Sequence, residues 1–126
     1  MKRWLVVVVL LALGAFVGLN LLTPGTASAQ AVDGCVHTAT IDSLEACVEH
    51  AAVQGLINNQ GVTHSLLAKL DAAEEALEHG HTKAAIHQLE AFLHEVYAQS
   101  GKHIDPEHAM GLEMHAQLVI QALKKG

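Results

Sequence analysis

Ten histidines and two cysteines are the residues of this 126-residue chain whose chemistry could go beyond packing. Imidazole and thiolate are common ligands of tetrahedral metal ions, and both change state under mild conditions. Spacing decides what they can do on one element. A single helix chelates an ion with ligands at i and i+3 or i+4, which share a face one turn apart. The histidines stand at 37, 50, 64, 79, 81, 87, 94, 103, 108 and 115, and no two differ by three or four. His87 and His94 are seven apart, as are His108 and His115, which is about 10.5 Å along a helix axis and too far to share an ion comfortably. The densest stretch, EHGHTKAAIHQLEAFLH at 78–94, contains one sharper set: His87, Glu90 and His94. These three fall within about 60° of one another on a helix, roughly 120° from the apolar stripe of Ile86, Leu89, Phe92, Leu93 and Val96. The trio is therefore expected on a wet face, with a weak metal site shared with another helix as the alternative. His108 and His115 lie at the edge of an apolar stripe, where partial burial with a hydrogen bond is expected.

Cys35 and Cys47 are even in number and form no C-x-x-C pair. In an exported chain they read as one disulfide, a cross-link that contributes on the order of 2–3 kcal/mol through loop closure. The alternative is two thiols, with Cys47 packing as a small hydrophobe. Catalysis has no visible machinery. The sequence has no nucleophile elbow, no H-E-x-x-H and no glycine-rich phosphate loop. Glu74 and Glu75 are adjacent acids, but they belong to a charged helix surface. The chain is expected to be no enzyme and to need no cofactor.

Export follows from the N-terminus. Lys2 and Arg3 precede a 19-residue apolar run, Trp4 to Leu22, then Thr23-Pro24-Gly25 and the small-residue triplet Ala27-Ser28-Ala29. That order predicts a signal peptide over 1–29 and a secreted or extracytoplasmic product, with an uncleaved anchor as the alternative. After cleavage five lysines face thirteen acidic residues, a formal charge of −8, and no arginine remains. Such a chain is a poor binder of nucleic acid or of anionic membrane surfaces. Phe92 and Tyr97 are then its only large aromatics, too few for a stacking platform. Ten imidazoles on so acidic a chain also make its net charge steep in pH.

Four helical segments must position these residues. After a lead-in over 30–42, the first is expected over about 43–57, capped by Asp42 or Ser43, with Leu44, Cys47, Val48, Ala51 and Leu56 inward and NNQG as terminator. The second is expected from Thr63, its cap, to His79, with Leu66, Leu70, Ala73 and Leu77 on one face and Gly80 as stop. A very short turn then makes an antiparallel hairpin with the third, which ends near Ser100 before Gly101. The fourth opens on Asp105-Pro106-Glu107, an N-cap followed by a preorganised first turn. Its stripe is Ala109, Leu112, Ala116, Val119 and Leu123. The fold class is all-α: a small antiparallel bundle of three main helices plus a leading one, spanning 43–126.

The stretch HSLLAKLDAAEEALEHGHTKAAIHQLEAFLHEVYAQSGKHID, residues 64–105, together with AQLVIQAL in the last helix, resembles the FIMAH domain. That family is a small helical module of exported bacterial and archaeal proteins. The likeness covers about residues 50–124 and implies the fold and an extracellular setting, but no catalytic residues. This chain carries His81 and His87 where such domains tend to have polar residues, often asparagine, and its disulfide-bearing lead-in lies outside the family pattern. The expected role is that of a secreted, noncatalytic module that packs against or binds protein at the cell exterior. The alternative is an extracellular histidine-based metal-binding or buffering protein.

Overall fold

The computed structural model describes residues 35–126, so the expected signal peptide and the first part of the lead-in lie outside the described residues. Four helices follow in order: α1 Ile41–Val53, α2 Gln60–Glu78, α3 Thr82–Gln99 and α4 Pro106–Lys125. Among the described residues no helix is long and apolar enough to cross a membrane. Each helix packs on two others. α2 lies against α3, α3 against α4, and α1 closes the ring by touching both α2 and α4.

Two helix starts differ from the sequence expectation. α1 is capped by Thr40, whose side chain accepts from the Ser43 backbone N–H at 3.3 Å, and not by Asp42 or Ser43. The reason is Ile41, which is only 5% exposed and joins the core from the first turn. Ser43 instead lies inside the helix and donates its hydroxyl to the Thr38 carbonyl at 2.8 Å. α2 is capped by Asn59, whose Oδ1 accepts from the Val62 N–H at 3.1 Å, and not by Thr63. Val62 is buried and extends the stripe of Leu66, Leu70 and Ala73 by a turn, which carries the helix past Thr63. Thr63 is itself buried and donates to the Asn59 carbonyl at 3.3 Å. Asp105 caps α4, accepting from the N–H groups of Glu107 and His108, both at 3.1 Å.

NNQG does not end α1. That helix stops at Gly55, which has φ +75° and sends its N–H to Ala52 while Leu56 reaches back to the Ala51 carbonyl at 2.9 Å. The same closure recurs at Gly80, with His81 bonded to the Ala76 carbonyl at 2.8 Å. These are Schellman endings, and the left-handed residue each needs is tolerated best by glycine.

The core is one continuous cluster. Leu44, Val48, Leu66, Leu70, Leu89, Phe92, Leu112 and Val119 are at most 1% exposed. Cys35 of the lead-in belongs to it, and two further members come from the loops between helices. Ile57 and Ile104 pair as a short antiparallel bridge, with Asn58 N–H bonded to the His103 carbonyl at 2.9 Å and Asp105 N–H to the Leu56 carbonyl at 2.8 Å. The α1–α2 and α3–α4 loops are thereby stitched at one pole. Between the first half of α2 and the end of α3, Lys69 meets Glu95 at 2.5 Å, and Ser65 donates to the same carboxylate at 2.8 Å. Cys35 and Cys47 are joined by a disulfide with Cα atoms 5.4 Å apart, pinning the lead-in to α1.

Candidate functional site

The helical register of α4 gives it two apolar sides. Its inward arc carries Ala109, Leu112, Ala116, Val119 and Ile120, all buried. Met110, Met114 and Leu118, at i, i+4 and i+8, form a second row about 12 Å long on the outer side. They are 59%, 62% and 47% exposed, in a protein whose other large apolar side chains are mostly buried. Between the two sides lie His108 and His115, with Gly111 next to them and no side chain to fill the gap.

The result is a groove of about 560 Å³ along α4. Its floor is Gly111 and its outer edge is Met110, Met114 and Leu118. Its inner wall is His108, His115 and Leu56, with His37 of the lead-in alongside. Asp105 and Glu107 stand at its N-terminal end and make that end acidic. His115 is fully buried, more deeply than the edge position suggested, and His108 is 5% exposed. Nε2 of His115 lies 2.6 Å from the Thr38 carbonyl and 2.8 Å from the Ser43 hydroxyl. These bonds fasten the lead-in over α4 and hold the wall of the groove in place. Methionine suits such a surface because its unbranched, polarisable side chain adapts to varied apolar shapes. The arrangement has the shape and chemistry to receive an apolar segment and carries no nucleophile with its base.

The set proposed from sequence behaves differently. His87 and His94 are exposed on α3. Nδ1 of His87 approaches Glu90 Oε2 at 3.2 Å. Among the described residues the trio is not one of the groups whose ligand atoms converge on a common point; those are His37, Cys47 and His115, and Asp42, Glu45 and Glu74. Spacing along one helix could not have found either, because each gathers residues from separate elements.

The acidic group lies between α1 and α2. Glu74 shares a hydrogen bond with Asp42, and this, with partial desolvation and the nearby charges of Glu45 and Glu78, pushes its carboxyl up to about 7. Glu45 is raised by burial first and by Asp71 next to it. Glu74 is thus half-buried and proton-linked rather than a plain surface acid, while Glu75, its neighbour, is exposed.

Comparison with known proteins places this geometry in context. Residues 41–121 match the family model of the FIMAH domain. The match begins at the first residue of α1, earlier than the sequence motifs suggested, and so takes in Cys47 but not Cys35. No curated protein and no solved structure matches the chain.

Proposed function

The chain belongs to the FIMAH domain family, and on that premise we propose that it is an exported, noncatalytic helical module that binds a protein segment outside the cytoplasm. The observation that carries this reading is the exposed row of Met110, Met114 and Leu118 bordering a groove in α4. A contiguous apolar strip of this kind, rimmed by charge, is the usual mark of a protein-binding surface. Helix-in-groove recognition reads such a strip through anchors one turn apart. The occupant is an apolar segment that carries a lysine or arginine at one end. The acidic end of the groove at Asp105 and Glu107, on a chain with no arginine after its N-terminal segment, favours that polarity. The disulfide and the signal-like N-terminus support a location outside the cytoplasm. No catalytic role is proposed.

The test is peptide display against the purified protein, with the Met110→Asp/Met114→Asp variant as counter-target. Both side chains are exposed, so the variant should keep its helical circular dichroism. Enrichment of apolar peptides with a flanking basic residue, and loss of their binding to the variant, would support the reading. Equal binding to both proteins, or enrichment of acidic peptides, would overturn it. Concentration-dependent dimerisation lost in the same variant would show that the groove serves a second copy of the chain instead.

A further inference from the structure

The histidine that walls the groove turns its other face to the disulfide. Nδ1 of His115 lies 3.5 Å from Cys47 Sγ. Its Nε2 faces the Thr38 carbonyl, which can only accept, so in the neutral ring Nε2 carries the hydrogen and Nδ1 presents a lone pair toward sulfur. That arrangement, one imidazole nitrogen donating to a backbone carbonyl while the other faces sulfur, matches the outer-shell pattern that orients metal-binding histidines. The ring of His37 stands edge-on to His115 with centroids 4.8 Å apart. The ligand atoms of His37, Cys47 and His115 all lie within 4.8 Å of one another. Cys35, bonded to Cys47, brings a second sulfur beside the group. One sulfur and two imidazoles thus converge from the lead-in, α1 and α4, with the Cys35 sulfur bonded to the one that converges.

We propose that Cys35, His37, Cys47 and His115 form a latent Cys₂His₂ zinc site that is closed by the disulfide and opened by its reduction. A disulfide sulfur carries no thiolate charge and is a poor ligand, so the oxidised protein offers zinc only two of the four groups. An external dithiol supplies two electrons and two protons. Its own sulfurs pair, the Cys35–Cys47 bond breaks, and two thiols form. Zn²⁺ then displaces both thiol protons and takes two thiolates and two neutral imidazoles. Zinc bonds of about 2.3 Å to sulfur and 2.0–2.1 Å to nitrogen place tetrahedral ligand atoms roughly 3.4–3.8 Å apart. The ligand atoms of His37, Cys47 and His115 therefore need to draw in by about an ångström at their widest, while the Cys35 sulfur parts from Cys47 and moves to the fourth position. The lead-in is the element that shifts most readily, pivoting about the Thr38 bonds, since Val36 and residues 38–40 are exposed whereas Cys47 and His115 are fully buried. Either cross-link ties the lead-in to α1; the zinc form adds α4. A small-molecule disulfide can reverse this: it takes up two electrons from the thiolates and two protons from solvent to become two thiols, while the Cys35–Cys47 bond re-forms and Zn²⁺ is released.

Titration of the purified protein with Zn²⁺ against a chromophoric chelator, before and after reduction by a phosphine under inert gas, tests the site. One equivalent of tightly held zinc is expected only after reduction. Co²⁺ in its place should give sulfur-to-cobalt charge-transfer absorption and the visible bands of a tetrahedral ion. His37→Ala, which removes a half-exposed ligand without opening the core, should weaken zinc by at least about tenfold. His87→Ala/His94→Ala should leave it unchanged. If reduction loosens the fold, zinc should restore the helical signal. No zinc uptake after reduction, uptake that is equal in the oxidised protein, a cobalt spectrum without sulfur bands, or full affinity in His37→Ala would each overturn the site.

Discussion

Chemistry at single positions is set here by contacts between elements. Glu74 illustrates this. It was legible only as one of two adjacent acids, and nothing in the chain order announces that Asp42 and Glu45 of α1 lie against it. Its raised carboxyl, about 7 against an ordinary 4.5, means that the folded state favours the protonated form. The stability it contributes is complete below about 4.5 and is lost as pH rises through about 7. Glu74→Gln, which keeps a neutral hydrogen-bonding partner for Asp42, should therefore melt higher than the parent at pH 8, and the gap should close toward pH 5. Thermal denaturation at the two pH values reads this directly, and a variant less stable than the parent at pH 8 would contradict it. His115 makes the same point. Its burial was foreseen in part from the edge of the α4 stripe, but its contacts with Thr38, Ser43 and Cys47 span more than sixty residues of chain.

At the level of elements, helical periodicity carried nearly all the information. Leu66, Leu70, Leu89, Phe92, Leu112 and Val119 were assigned inward from spacing and are buried. The short turn at Gly80 was visible from the glycine and from the patterns flanking it. The differences lie at helix starts, where the polar residue nearest the first clear apolar position is not the cap. Spacing points to Asp42 or Ser43 and to Thr63 because the clear apolar stripes open at Leu44 and Leu66, whereas in the fold Ile41 and Val62 open them a turn earlier and move the caps to Thr40 and Asn59. Ile57 and Ile104 escaped notice for a related reason: they sit in loops, where no period marks them as core. The Asn59 cap gives a measurable consequence. Asn59→Ala should leave an α2 amide without its acceptor and lower the unfolding free energy by about 1 kcal/mol, measured by urea denaturation. A change within about 0.3 kcal/mol would mean that water serves the helix start equally well.

On the scale of the whole molecule, a ring of four helices around one leucine-rich core leaves little redundancy. Leu70 is fully buried in α2, and Glu75 is exposed on the same helix. Leu70→Asp should abolish the cooperative melting transition by burying an unpaired charge, whereas Glu75→Ala should shift stability by less than about 0.5 kcal/mol. Similar melting curves for the two would show that the ring is not held by this core. The all-α class and the family were both readable from sequence, while the groove was not. Met110, Met114 and Leu118 read simply as the remaining residues of an amphipathic helix, and only the placement of the lead-in and Leu56 makes a wall opposite them. The two poles of the ring are also unequal. One is stitched by the pairing of Leu56–Asn58 with His103–Asp105. The other is the bare turn His79–Thr82, four exposed residues whose backbone bonds serve only to finish α2 and begin α3. For anyone wishing to attach a dye, an affinity handle or a second domain, that bare turn is the port to use, because cargo spliced there hangs away from the stitched loops.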